Sequence, residues 1–213
     1  MSWLGDKLRA ARDAIRAQFQ PAPPAAVATP CAAPKKTLHT VTRHGTSVFK
    51  RDADGAILAK TVGAPFNSGH GGAPGVQFRL QQYELELLDG SKVEAYKSLG
   101  RVDGETLVPD ARMDTDCHGV TFTNGEYWIN DDQVDRILLG GGLTRKATAV
   151  PGDVLVYRSS DGGVSHSVTV TAAGGAGVPT QVSGLGGIEM AEHYDTPATG
   201  WHDTTASHEY WSP

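Results

Sequence analysis

Hydrophobic and polar residues alternate along much of this chain with the period of two that is typical of β-strands. Val76, Phe78 and Leu80 alternate with polar neighbours, and Asp89 and Gly90 form a turn signal before a further apolar run. Strands are predicted at 38–43, 46–50, 56–59, 76–87, 92–99, 154–158, 166–171 and 180–184. The chain is therefore expected to be rich in β-structure.

Between the two groups of strands the pattern changes to a helical period. Residues 130–139 are predicted to form a helix that Asn130 or Asp131 caps and that the glycines at 140–142 end. A glycine-rich loop is expected at 63–75, and an irregular, aromatic-rich tail at 186–213.

The N-terminal part has a different character. Residues 1–20 are predicted to form an amphipathic helix with Leu4, Leu8 and Ile15 on one face, and 21–36 a Pro/Ala-rich linker with five prolines in fourteen residues. The helix can dock on a membrane surface or a partner groove, or pack on its own domain. After it, we expect a β-rich extension at 37–110 and a catalytic core at 111–213, with 37–213 forming one compact unit.

Composition narrows the classes of protein. Hydrophobic residues make up 39% and charged residues 20% of the chain, which is typical of a soluble globular protein. The net charge of −5 argues against nucleic acid as a partner. No apolar run of membrane-spanning length and no secretory signal are present. We expect the protein to be made in the bacterial cytoplasm without a Sec signal. The N-terminal helix and its Pro-rich linker favour delivery by a specialised secretion system.

The candidate chemistry centres on Cys117. Asp116 can cap a short helix that places Cys117 in its first turn, where unpaired amides favour a thiolate, and Gly119 lets neighbouring backbone approach. His166 opens a later strand and can be held rigidly as a base. A lone cysteine is more often a buried core residue, but the Asp, His and Gly around this one suit a core position badly.

Three motifs carry a family resemblance: Cys-X-Gly at Cys117, PGDVLVY at 151–157 and SHSVTV at 165–170. Over about 114–187 the chain resembles the NlpC/P60 and CHAP branch of the papain-like cysteine hydrolases. The resemblance implies an α+β, papain-like core with a small antiparallel sheet packed on the nucleophile helix. It also implies Cys117 as nucleophile, His166 as base, and hydrolysis of an amide bond without a cofactor or metal.

The sequence departs from the family pattern at several positions. The third catalytic residue is Gln181 or Ser183, which the strand period places on one face. His118 stands where a small residue is usual, and it can bind substrate, act as a second base, ligate a metal or simply pack. Tyr127 and Trp128 line a substrate cleft or belong to the core.

These features lead to competing hypotheses about function. The first is a peptidoglycan peptidase or amidase that acts as a bacterial effector toxin, with a secretion machinery or an immunity protein as partner. The second is a protease or deamidase that acts on a protein substrate. A third, from another class, is a catalytically inactive papain-like module that binds a ligand in the same cleft, and a fourth is a zinc-bound structural protein.

Overall fold

The computed structural model describes residues 48–69, 76–110, 115–185, 193–197 and 207–213. The leader at 1–20, the linker at 21–36 and the strand expected at 38–43 lie outside these ranges. Within them the chain forms ten strands and two α-helices. The strands are β1 (Ala59–Gly69), β2 (Gln77–Glu86), β3 (Lys92–Asp103), β4 (Thr106–Val108), β5 (Thr144–Lys146), β6 (Val154–Arg158), β7 (Val164–Ala173), β8 (Pro179–Leu185), β9 (His193–Pro197) and β10 (Ser207–Ser212). The helices are α1 (Cys117–Thr123) and α2 (Asp131–Gly140).

The expected α+β papain-like core is wrong. The described chain is mostly β, in a four-stranded and a six-stranded antiparallel sheet, and its helices have only 7 and 10 residues. The alternating pattern of strands runs through both halves of the sequence, which accounts for the high β content. The nucleophile helix α1 is short because Asn124 and Gly125 both take positive φ, at 55° and 79°, and end it. The resemblance covered only a third of the chain and said nothing of the rest.

The first sheet has the strand order β1-β2-β3-β4. The predicted hairpin between β2 and β3 is confirmed, with Leu85 opposite Val93 and Gly90 in the turn at φ 88°. The prediction of a loop at 63–75 is wrong as far as Gly69, because the edge strand β1 continues to that residue. Its pairing with β2 shifts register between Val62 and Phe66. Edge strands tolerate Gly and Pro at such bulges.

The second sheet has the strand order β5-β10-β6-β7-β8-β9. The predicted strands at 154–158, 166–171 and 180–184 are confirmed as β6, β7 and β8. The prediction of an irregular tail at 186–213 is wrong over two segments. His193–Pro197 forms β9 and pairs with β8, and Ser207–Ser212 forms β10, which pairs with β5 on one side and β6 on the other. The partners of β10 lie about 50 to 70 residues earlier in the chain, so no local signal marked β10 as a strand.

Opposite faces of the second sheet contact different surroundings. On one face Val154 and Val156 pack with Val134 and Ile137 of α2, in a core that also includes Leu85 of the first sheet. The other face carries a separate apolar cluster formed by Leu155, Tyr157, Val168, Val170 and Val182. Because side chains alternate along a strand, the register decides which residues of β7 can reach the helices.

Candidate active site

The predicted cap of the cysteine helix is confirmed. Asp116 precedes α1, and its Oδ1 accepts hydrogen bonds from the backbone N–H of Gly119 at 2.7 Å and of Ile129 at 3.2 Å. The carboxyl group therefore joins the first turn of α1 to the segment that leads into α2. Cys117 is the first residue of the helix and is only 7% exposed.

The expected close approach at Gly119 is also confirmed. A Cβ atom there would lie 1.9 Å from the carbonyl oxygen of Tyr127 and 2.2 Å from Oγ1 of Thr115. The same Tyr127 oxygen accepts a hydrogen bond from Thr115 Oγ1 at 2.9 Å. Only glycine fits this contact, and it locks the start of α1 against the following loop.

His118 is the best-anchored polar side chain of the site. Its imidazole is fully buried, with Nδ1 2.8 Å from Ser167 Oγ and Nε2 3.0 Å from Asp131 Oδ1. Ser167 lies on β7 and Asp131 is the first residue of α2. One side chain of α1 thus connects a central strand to the second helix.

The environment of His118 favours its charged form. Burial alone would lower its pKa, but the coulombic interaction with Cys117 and the hydrogen bond to Asp131 outweigh burial and raise the pKa well above 6.5. In the charged form both ring nitrogens donate, Nδ1 to the Ser167 hydroxyl and Nε2 to the Asp131 carboxylate. Because His118 follows Cys117 directly in α1, a positive charge on its ring acts on the neighbouring thiol group.

Asp116 responds to the same buried surroundings. Burial raises the pKa of its carboxyl group to about 7, although the positive charge of His118 and the two amide hydrogen bonds oppose the shift. Asp131 contributes a further small increase through charge repulsion. Asp116, Cys117, His118 and Asp131 therefore form one electrostatically connected group.

His166 lies elsewhere in the sheet. It is opposite Tyr157 of β6, and the two rings are 5.7 Å apart. The next residue, Ser167, points to α1, so alternation places the His166 side chain on the opposite sheet face, with Tyr157. Burial, with a smaller contribution from the charge on His118, lowers the pKa of His166 to about 3, so its imidazole is neutral at physiological pH.

The two candidates for the third catalytic residue lie on β8. Gln181 is exposed, whereas Ser183 is buried and lies opposite Thr169 of β7. Thr169 shares its sheet face with Ser167, so Ser183 faces α1 rather than His166. The register does not bring either residue to His166.

Tyr127 and Trp128 are both buried. Tyr127 packs edge-on against Tyr83, with their ring centroids 5.4 Å apart, and the Lys97 ammonium lies 4.1 Å from its ring centroid. Trp128 contacts Tyr96 in the apolar cluster of the first sheet. Tyr127 belongs to the core that both sheets share and Trp128 to the cluster of the first sheet, so both side chains are core residues.

Sequence reasoning missed Asp131 and Ser167. Asp131 was identified only as one of two candidate caps of its helix, and Ser167 only as part of a strand. Their separations from His118 are 13 and 49 residues, and no local motif indicates such contacts. The one signal in the sequence was a histidine in the first turn of the predicted helix. If such a side chain is buried, both of its ring nitrogens need hydrogen-bond partners, and those partners could have been sought.

A polar groove lies apart from these residues. It has a volume of about 270 Å³, and Val62, Glu94, Gln133 and Arg136 are among the side chains that line it. Its polar groups bond to one another, as Glu94 N–H does to Gln133 Oε1 at 3.0 Å. Neither Cys117 nor His118 belongs to its lining.

Searches of protein-family models, of curated proteins and of solved structures each found no match to this chain. No helix in the described ranges has the length and apolar character needed to cross a membrane. Across the same ranges, no three His, Cys, Asp or Glu side chains cluster as the ligands of a metal ion would.

Proposed function

We propose that this protein is a thiol-dependent hydrolase in which Cys117 is the nucleophile and His118 is its charged partner. The observation that carries the proposal is the buried imidazole of His118, the residue after Cys117 in α1, fixed by Asp131 at 3.0 Å and Ser167 at 2.8 Å. A thiolate is the reactive form of cysteine, and an adjacent imidazolium stabilises it.

The reaction follows from that pair. In the resting pair the proton of the thiol is already held on the His118 imidazolium, and the Cys117 thiolate attacks a carbonyl carbon to form a tetrahedral intermediate. Collapse of the intermediate breaks the bond to the leaving amine, which takes its proton from solvent water. Water then hydrolyses the thioester and restores the thiol. Asp131 and Ser167 act as positioning residues, because they hold the ring but do not contact the substrate.

His118 is a better partner than His166 for two reasons. His118 belongs to the same helix as Cys117, whereas the register turns His166 to the other sheet face. Burial also lowers the pKa of His166 to about 3, which makes its imidazole a poor proton acceptor. His166 is therefore given no catalytic role in this proposal, and His166→Gln is the control for His118→Gln.

The substrate class is an amide or ester of a carboxylic acid. Peptidoglycan peptides are the first substrates to test, because the motif around Cys117 resembles that of wall hydrolases. Delivery of such an effector through a specialised secretion system, with an immunity protein as partner, is part of the same proposal. Cleavage or deamidation of a protein substrate is the alternative within the class.

Acyl-enzyme trapping tests this proposal. The protein is incubated with a panel of activated esters and wall peptides, quenched in acid, and mass spectrometry of its peptides locates any acyl group. We expect a thioester on Cys117 in the wild type and its loss in Cys117→Ala. His118→Gln should reduce the acylation rate at least tenfold, whereas His166→Gln should leave it within twofold. Acylation of Cys117 that is unaffected by His118→Gln would refute the assigned pair.

A second candidate function is a non-enzymatic module in which the same residues are structural. Two observations favour it: both nitrogens of His118 already have partners, and Cys117 is only 7% exposed. In that case Cys117→Ala should lower the unfolding free energy by about 1 kcal/mol or more, and no substrate should acylate the wild type.

A further inference from the structure

The polar groove of about 270 Å³ is lined by residues of β1, β2, β3 and α2. All of the described residues that line it are polar or charged except Val62 and Val93. Its volume lies just below the range of roughly 300–1,000 Å³ that small-molecule sites occupy. The groove therefore suits a small and polar ligand.

Hydrogen bonds among its own residues hold part of the groove in place. The Glu94 carboxylate accepts from the Gln82 amide at 2.6 Å through one oxygen and from the Tyr96 hydroxyl through the other. The backbone N–H of Glu94 donates to Gln133 Oε1 at 3.0 Å, which ties α2 to β3. These groups are already paired, so they shape the groove before any ligand enters, and binding does not have to order them.

Arg136 is the cation of the groove that has donors to spare. Its Nη1 donates to the backbone carbonyl of Lys92 at 2.9 Å, which holds the guanidinium against β3. Among the residues that the structure describes, no Asp or Glu forms an ion pair with Arg136. A guanidinium carries five N–H donors in a fixed fork, and the partner that this fork matches best is a carboxylate.

Glu84 is the acid of the groove that can change partners. Its Oε2 lies 3.5 Å from Nζ of Lys92, and the two side chains are 40% and 52% exposed. Exposed ion pairs of this kind contribute little, because water screens them and both side chains lose freedom. The Glu84 carboxylate can therefore exchange Lys92 for a cationic group of a ligand.

The balance of charge in the groove decides the class of ligand. Lys92 and Arg136 bring two positive charges to the lining. Glu84 and Glu94 bring two negative charges to it. A phosphate or another multiply charged anion would be repelled by both acids, and a polyamine by both bases. A molecule with one carboxylate and one ammonium group finds an opposite charge for each.

We propose that this groove binds a dipeptide by its two charged ends, with the carboxylate on Arg136 and the ammonium group on Glu84. The ends of an extended dipeptide lie about 7 Å apart, so a ligand of this size fits a groove of about 270 Å³. The inference goes beyond the proposed hydrolase and does not rest on it, because Cys117 and His118 are not part of the lining.

The first test is an NMR titration of the full, ¹⁵N-labelled chain with glycylglycine, read at the backbone amide of Glu94 and the side-chain amide of Gln133. We expect both resonances to shift with a dissociation constant on the order of 1 mM. N-acetylglycylglycine lacks the ammonium group and glycylglycinamide lacks the carboxylate, so each should bind at least fivefold more weakly. Equal affinities for the three ligands, or no shift with glycylglycine up to about 20 mM, would overturn the proposal.

The second test assigns the two ends of the ligand to their residues. Arg136→Gln removes the cation but keeps an amide donor for the Lys92 carbonyl, and it should weaken glycylglycine binding at least fivefold while leaving the affinity for glycylglycinamide within twofold. Glu84→Gln should weaken glycylglycine but not N-acetylglycylglycine. Arg51→Gln is the matched control, because Arg51 is outside the groove and its Nη1 also donates to a backbone carbonyl, that of Gly55, at 2.6 Å.

Arg51→Gln should leave the affinity for glycylglycine within twofold of wild type. Equal losses in Arg136→Gln and Arg51→Gln would trace the effect to net charge and overturn the assigned site, as would unchanged binding in Arg136→Gln. The comparison of the three ligands uses wild-type protein, so it decides the proposal even where a variant fails to fold.

Discussion

Nε2 of His118 lies 3.0 Å from Oδ1 of Asp131, so the residue after the candidate nucleophile is bonded to the first residue of the next helix. Asp131 is 38% exposed at its side chain, whereas His118 is completely buried. The pair therefore links the interior of the site to its surface. Ser167 completes the arrangement from β7, and together the three side chains fix the ring that neighbours Cys117.

Loss of the His118 side chain should destabilise the protein strongly. His118→Ala leaves a cavity and removes the partners of Ser167 Oγ and Asp131 Oδ1. We expect the unfolding free energy to fall by roughly 2–4 kcal/mol. Urea denaturation measures it, and His208→Ala, at an exposed position of β10, should change it by less than about 0.5 kcal/mol. A fall of that small size for His118→Ala would show that the ring is not an anchor.

Gly119→Ala should be among the most damaging single-methyl substitutions in the chain. The new Cβ would meet Tyr127 O at 1.9 Å and Thr115 Oγ1 at 2.2 Å, and both belong to the structure that holds α1 in place. We expect a loss of about 3 kcal/mol or more in thermal or urea unfolding. Gly175→Ala is the control, because no atom lies within 4 Å of its Cβ position. Equal stability of the two variants would contradict the packing described for α1.

The sequence predicted the parts of the site that are built from local interactions. The Asp116 cap bonds to a residue three positions on, and the close contact at Gly119 is with Tyr127, eight positions away. The hairpin at Asp89 was predictable for the same reason. Each depends on short-range hydrogen bonding or on the conformational freedom of glycine.

The remaining features depend on pairings that no local pattern encodes. Strand β10 joins β6 about fifty residues earlier, so its sequence alone resembled an irregular tail. His166 was expected as the base of Cys117, but the register pairs His166 with Tyr157, and it is the next residue of β7, Ser167, that contacts the His118 ring. A shift of one residue along a strand exchanges the two faces. The sheet face on which His166 lies therefore could not be read from the sequence alone.

The pH dependence of stability should reveal two buried groups that act in opposite directions. Asp116 has a raised pKa of about 7, so its contribution to folding is fully present below its unfolded value near 3.8 and is lost as pH rises toward 7. His166 has a pKa lowered from 6.5 to about 3, so its contribution is lost as pH falls through that window. Between pH 4 and 6.5 the unfolding free energy of the wild type should therefore change little with pH, because the slopes from Asp116 and His166 have opposite signs.

Asp116→Asn removes one side of that balance. Relative to wild type, the unfolding free energy of the variant should increase with pH between 4 and 6.5, by about 1.4 kcal/mol per pH unit at most. His166→Gln should change with pH in the opposite sense over the same range. Urea titrations at four pH values give both slopes. Parallel pH profiles for wild type and Asp116→Asn would mean that Asp116 is not the titrating group.

An ion-pair network should stabilise the position of β10. Arg158 of β6 lies 2.6 Å from the Asp135 carboxylate of α2 and 3.0 Å from that of Glu209 on β10, and its side chain is only 15% exposed. Arg158→Gln should lower the unfolding free energy by roughly 1–3 kcal/mol. Arg145→Gln removes a more exposed partner of the same Glu209 and should cost less than about 1 kcal/mol. Equal effects of the two substitutions would show that burial does not distinguish them.

The most direct test of the central claim is the iodoacetamide alkylation rate of Cys117 near pH 6.5, compared in wild type and His118→Gln. If the His118 imidazolium stabilises the thiolate, wild-type Cys117 should react at least tenfold faster than the same residue in the urea-unfolded chain, and His118→Gln should remove most of that advantage. His166→Gln should not change the rate by more than about twofold. A rate for wild-type Cys117 no higher than in the unfolded chain would contradict the claim that Cys117 and His118 form a reactive pair.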